Sequence, residues 1–128
     1  MKYEVVSSKN YMCGESPVWK KSTKTLYWTD IDGKSLHKLN LPSSKISDFQ
    51  MPGRVGCIAP IFAGGFIAAM ENKILKLSEN FEIIKILNII QPSDLNWRFN
   101  DGKSDRTGNF FWVGSIYLPR NKKEAGLW

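Results

Sequence analysis

The chain has 128 residues, 18 lysines and arginines against 12 acids, and a formal net charge of +6. That length allows one domain with a core, and 42% hydrophobic with 12% aromatic content excludes a disordered chain. No apolar run is long enough to span a bilayer, and two cysteines, Cys13 and Cys57, are too few for a disulfide framework or a metal knot.

In chain order the pattern is one of short strands and turns. Residues 1–7 read as a first strand and lack the apolar stretch of a secretory signal, so the cytosol is the expected compartment. Residues 14–17 are an irregular opening, because Pro17 cannot donate to a ladder. Val18 and Trp19 start a strand, and residues 20–24 turn it. Residues 25–31 form a strong strand with Leu26, Tyr27 and Trp28. Asp32-Gly33 is a hairpin signal, residues 35–41 alternate imperfectly, and residues 46–51 suit an edge strand. Pro52-Gly53 ends the unit. The pattern repeats with strands over 55–62, 66–70, 73–77 and 81–90, separated by Gly64-Gly65, Glu71-Asn72 and residues 78–80. Residues 91–97 read as a loop.

The third unit opens at Arg98. Asp105-Arg106-Thr107-Gly108 is a tight turn in which Gly108 is free to take a positive φ. Residues 109–114 then read as a buried aromatic strand. The strongest strands, at 25–28, 65–68 and 109–112, recur about every 40 to 44 residues, the period of a β-propeller blade with four short strands. Residues 117–126 form a polar insertion, and Gly126-Leu127-Trp128 looks like the start of a third strand. The expectation is an all-β propeller portion over residues 1–128 with no linker, about two and a half blades, whose open edges pair with another chain or aggregate.

Candidate site residues are few. Arg98, Asn100 and Asp101 stand just before the aromatic strand, where buried polar groups need partners. Two readings are open: they satisfy one another, Arg98 pairing with Asp101 or Asp94 and Asn100 closing an Asx-turn, or they face a ligand. Glu15 alone is an exposed turn carboxylate. His37 reads as a surface histidine, and Asp30-Ile31-Asp32-Gly33 lacks the spaced oxygens of a calcium loop. Cys13 and Cys57 read as small buried residues in a reducing compartment. The lysines are scattered, and Arg120, Lys122 and Lys123 lack interleaved stacking aromatics, so neither nucleic acid nor membrane is an expected partner.

Two motifs carry a resemblance. Arg98-Phe99-Asn100-Asp101-Gly102-Lys103 followed by Asp105-x-x-Gly108-Asn109-Phe110-Phe111-Trp112-Val113-Gly114 resembles the central signature of the SMP-30, gluconolactonase, regucalcin and luciferin-regenerating-enzyme family. Cys13-Gly14-Glu15-Ser16-Pro17-Val18-Trp19, then Leu26-Tyr27-Trp28-Thr29-Asp30-Ile31, resembles its opening. The resemblance implies a six-bladed propeller of which this chain covers the N-terminal portion. It implies a metal-dependent hydrolase that opens sugar lactones. It makes Glu15 a ligand of one divalent ion (Ca²⁺, Zn²⁺, Mn²⁺ or Mg²⁺), and Arg98 and Asn100 substrate contacts. The family's remaining metal ligands, an asparagine and an aspartate, and its general base fall outside this chain, which therefore holds no catalytic residue of its own. The acidic substrate contact that follows the third-blade strand is also missing: Tyr117-Leu118-Pro119 carries no carboxylate. The rival expectations are a non-catalytic propeller fragment, acting as an interaction module or a truncated remnant, and a basic nucleic-acid-binding β-domain.

Overall fold

The computed structural model describes residues 2–91 and 94–128. Two four-stranded antiparallel meanders stand side by side, followed by a strand pair. The first sheet is β1 (Gly14–Lys20), β2 (Thr25–Asp30), β3 (Ser35–Asn40) and β4 (Lys45–Gln50). The second is β5 (Val55–Pro60), β6 (Phe66–Met70), β7 (Lys73–Leu77) and β8 (Ile83–Ile89). The third is β9 (Trp97–Ser104) paired with β10 (Phe111–Tyr117). Leu127 then bridges to Gly114, and Val113 and Trp128 exchange both backbone bonds, so a third strand begins there as expected. These are two propeller blades and the start of another. No helix among the described residues is long and apolar enough to cross a membrane.

The second sheet is apolar on both faces because a neighbour covers each. Val55, Ile58, Phe66, Ala68 and Met70 pack with Tyr27 and Leu36 of the first sheet. Cys57 and Ala69 point the other way, onto Trp97, Phe99 and Val113. One sheet thus contributes to two cores, which is why its strands read as continuous apolar runs rather than as alternation. β5 lies between β1 and β9, and these three innermost strands carry the candidate site.

Three sequence expectations change. Residues 2–11 contain no strand, since apolar β-branched residues make a strand only with a partner ladder. Arg98, Asn100 and Asp101 do stand ahead of the aromatic strand, now β10, but they form a strand of their own, β9, to which Trp97 also belongs; Pro92 and Ser93 of the expected 91–97 loop lie outside the described residues. The Asp32-Gly33 turn spans residues 31–34, with the positive φ on Lys34 (φ 50) and not on Gly33.

His37 is the largest correction. It is 2% exposed rather than a surface residue. Its Nδ1 lies 2.7 Å from Asp48 Oδ1 and its Nε2 lies 2.9 Å from Ser35 Oγ. The ring stacks on Trp28 at 5.3 Å, and Tyr11 closes over it edge-on. The Ser–His–Asp order is that of a proton relay, but the ring is walled in by aromatics, so the cluster is a buried network whose polar atoms satisfy one another. Lys9 also pairs with Asp48, which ties the N-terminal segment to the sheet.

Asp30 fastens the same segment from the other side. Its Oδ1 accepts from Cys13 N (2.9 Å) and Gly33 N (3.1 Å), and its Oδ2 accepts from Met12 N (3.1 Å). Burial pushes the carboxyl up, but the backbone donors outweigh it and hold the group below the usual carboxylate value. A depressed folded-state pKa gives stability that is complete above the unfolded value, about pH 4, and lost as pH falls through the folded value. Asp30→Asn is therefore expected to cost about 1.5 to 3 kcal/mol at neutral pH, as for bonds to a charged acceptor. Denaturant titrations should show that difference shrinking below about pH 4; a cost that does not change with pH would show that the charge is irrelevant.

Candidate functional site

Three inner strands meet at one level. Gly56 of β5 sits directly beneath Asn100 of β9: a Cβ added there would lie 2.0 Å from the Asn100 carbonyl oxygen. On the other side, Ser16 Oγ of β1 accepts from Ile58 N of β5 at 3.4 Å. Glu15, Gly56 and the Arg98-Phe99-Asn100 segment therefore gather at the same end of the three strands. Farther along, residues 16–19, 58–60 and 101–104 line a groove of about 480 Å³ between the strands.

Arg98 and Asn100 share one face of β9, as residues two apart on a strand must, while Trp97 and Phe99 anchor the strand in the core. Arg98 is 6% exposed. Its Nη1 donates to Asn100 Oδ1 at 2.8 Å and to the Phe99 carbonyl at 2.9 Å. The expected alternatives for this pair, a surface ion pair and an Asx-turn, are not what forms. No carboxylate pairs with Arg98 among the described residues, and its Nε is buried without a partner. Burial and the positive charge of Arg54 lower its affinity for a proton, against smaller opposing effects of Asp32, Cys13 and Glu71.

Glu71 is the site residue that sequence reasoning missed. It is the first residue of the two-residue turn between β6 and β7 and takes a left-handed conformation (φ 51), a position that favours glycine. Such strain persists where surroundings enforce it. Here Arg54 grips the carboxylate: its backbone N reaches Oε1 at 2.8 Å, Nε reaches Oε1 at 3.1 Å and Nη2 reaches Oε2 at 3.0 Å. The Glu71 carbonyl in turn accepts from Phe99 N at 2.7 Å, between the two candidate substrate residues. The only signal in the sequence was a glutamate where a turn wants glycine.

Glu15 is the second residue of β1 and is exposed. A bulge follows it, with Ser16 at φ 51 and Pro17 outside the ladder, so the strand pairs again only from Val18. Its Oε1 lies 3.8 Å from Cys13 Sγ. Burial raises the Cys13 thiol, the Glu15 and Asp32 charges raise it further, and Arg98 lowers it. One thiol thus feels the charges of both Glu15 and Arg98. Glu15 is a hard oxygen donor of the kind Ca²⁺ or Mg²⁺ takes, yet one carboxylate does not make a site. No group of three or more His, Cys, Asp or Glu able to hold a metal ion occurs among the described residues. The described residues therefore bring together fewer than three such ligands and do not fit a complete metal centre. Both cysteines are free; burial, with the Asp101 charge second, pushes the Cys57 thiol up to about 12.

Comparison with known proteins is consistent with this fold. A family model described as the SMP-30/Gluconolactonase/LRE-like region matches residues 13–128. A 6-deoxy-6-sulfogluconolactonase of Pseudomonas putida is 35% identical over 114 residues, covering 89% of this chain and 39% of that protein. A regucalcin of Sus scrofa is 33% identical, covering 87% and 37%. The chain thus spans well under half the length of these relatives. Among solved structures, a luciferin-regenerating enzyme superposes with a TM-score of 0.75 at 30% identity, covering 84% of this chain and 37% of that one. A calcium-binding regucalcin from Agrobacterium tumefaciens superposes with a TM-score of 0.86 at 18% identity, covering 96% and 41%, a likeness of fold alone.

Proposed function

From the premise that the chain belongs to the SMP-30/gluconolactonase/LRE-like family, we propose that it is the sugar-binding portion of a sugar-lactone hydrolase. The observation that supports this most is Arg98, a buried guanidinium hydrogen-bonded to Asn100 at the shared mouth of the inner strands. A sugar lactone is ringed with hydroxyls. The Arg98 donors together with the Asn100 amide can bind and orient several of them. Glu71 and Arg54 hold the strand that carries both. Glu15 is proposed as one ligand of a divalent ion, which when bound polarises a carbonyl or activates water.

The test is lactone hydrolysis by the chain, in a complete propeller, with Ca²⁺, Zn²⁺, Mn²⁺ or Mg²⁺ added in turn. Opening of a sugar lactone above the spontaneous rate, dependent on one of these ions and weakened by Glu15→Gln, is the expected result. Turnover that ignores metal and Glu15→Gln alike would remove Glu15 from the reading. A second reading, a non-catalytic propeller piece that pairs with another chain, draws on β8, where Ile83, Ile84, Ile86, Leu87 and Ile89 are all exposed on a sheet edge. A folded complete propeller inert toward every lactone tried would favour it.

A further inference from the structure

The outer strand of the second sheet, β8, carries an apolar row that the blade architecture does not require. Cross-strand partners share a face, and Ile83, Ile86 and Ile89 pair with Leu77, Leu75 and Lys73 of β7. Leu75 and Leu77 are buried in the core shared with the first sheet, so the three isoleucines lie on that side. Ile83 borders the crevice between the two sheets, with Phe49, Met51 and Glu82. β8 is bulged twice against β7, and each bulge adds a residue, so here residues three apart return to one face. The first sheet has all four of its strands, yet Ile83, Ile86 and Ile89 stay 43%, 46% and 44% exposed. A missing neighbour does not account for that exposure. By contrast β4, the outer strand of the first sheet, has only Ile46 and Phe49 as apolar residues, both partly buried. No charge interrupts the isoleucine row. One end adjoins Glu82, next to Ile83, and the other adjoins Lys73, opposite Ile89. Neither forms an ion pair with a described residue. Lys76 and Lys85 pair with each other on the opposite face.

We propose that β8 docks a second copy of this chain, packed antiparallel about a two-fold axis through Ile86. The row reads the same in both directions, as a contact made by one patch with itself requires. Ile86 meets Ile86 of the second copy, and Ile83 meets Ile89 at either end. The same axis carries Glu82 of each copy to the end where Lys73 of the other stands, so the flanking charges are complementary. The two bulges disrupt the ladder on the free edge. That opposes indefinite strand addition and leaves a side-chain contact that closes as a dimer. The exposed apolar side chains of β8 offer less than the roughly 800 Å² per partner of a standard interface, so the dimer is of the weak, concentration-dependent class. The contact does not depend on the hydrolase reading; for the second reading it names the chain that β8 meets.

The experiment is sedimentation of the full chain over a range of concentrations, read as molar mass. Wild type is expected to move from 14.6 kDa toward twice that mass, half-dimerised on the order of 10 to 100 μM. Ile86→Lys and Ile86→Glu each set like charges against one another at the axis and should weaken association at least about tenfold. An equimolar mixture of the two sets Lys against Glu and should restore the dimer, less so as salt is raised. Lys73→Glu should weaken the dimer, and Lys73→Glu combined with Glu82→Lys should recover it. That second pair decides the matter if a residue 86 variant does not fold. Wild type that stays monomeric throughout overturns the proposal. So does association that survives both folded residue 86 variants, because the contact would then lie on another edge, such as the open side of β10. A mixture of folded Ile86→Lys and Ile86→Glu that stays monomeric overturns it as well. Monomeric wild type that co-sediments with phosphatidylcholine–phosphatidylserine vesicles gives the row to a lipid surface instead. Because the readout is mass, a propeller inert toward lactones leaves this contact standing, and a monomer leaves the hydrolase reading standing.

Discussion

Gly56→Ala is expected to cost about 3 kcal/mol or to prevent folding, at the upper end of what overpacking a core costs. The reason is steric and local. The new Cβ would stand 2.0 Å from the Asn100 carbonyl oxygen and 2.8 Å from its carbon. Those are backbone atoms of a paired strand, so no rotamer change relieves the clash. β5 and β9 must move apart, and with them the core formed by Cys57, Ala69, Trp97, Phe99 and Val113, because packed interiors transmit such displacements. Gly114→Ala is the control: its Cβ would meet only the Asp101 carbonyl oxygen at 3.6 Å, an ordinary contact. Equilibrium unfolding of the two variants against wild type checks the argument. If Gly56→Ala were as stable as Gly114→Ala, the close approach of β5 to the site strand would be wrong.

That contact also shows what the sequence could and could not convey. The blade period was legible because aromatic and β-branched residues recur in paired, turn-separated runs: β6 and β7 match the expected residues 66–70 and 73–77. Residues 2–7 had the same composition and form no strand, because pairing needs a partner and composition does not report one. His37 was misread for a related reason. Alternation on β3 assigns it to the face away from the core, but the N-terminal segment folds back and lays Tyr11 over it. Local pattern cannot register a cover that arrives from 26 residues upstream. Glu15, Arg98 and Asn100 were legible only through the family motifs, since each alone suits a turn or a surface. Their common placement depends on Gly56, Ser16 and Glu71, all long-range contacts. Glu71 in particular has no local reason to matter: its role consists of a strained turn, a bond from Phe99 and a grip by Arg54.

Asn100→Ala in a complete propeller is expected to lower kcat/KM by about 2 to 4 kcal/mol, on the order of 30- to 1000-fold, as for loss of an orienting or oxyanion-type group. Two losses combine in this one change. The amide no longer meets a substrate hydroxyl, and Arg98 Nη1 loses the acceptor that fixes it at 2.8 Å. A guanidinium free to rotate is a poorer clamp, because positioning converts directly into rate. The backbone of β9 keeps its ladder to β10, and Asn100 is only half-buried, so the melting temperature should change little. Arg98→Ala is a different experiment. That side chain is 6% exposed, and its removal leaves a void and strands the Asn100 oxygen, so stability falls together with activity. Arg98→Lys separates the two effects, since it keeps the charge and much of the volume but cannot form the fork. It should fold, bind sugar weakly and raise KM more than Asn100→Ala does. The deciding comparison is kcat and KM for Asn100→Ala and Arg98→Lys beside their melting temperatures. If activity stays within about twofold of wild type, or declines only in step with thermal stability, the Arg98–Asn100 bond serves the strand and not a substrate.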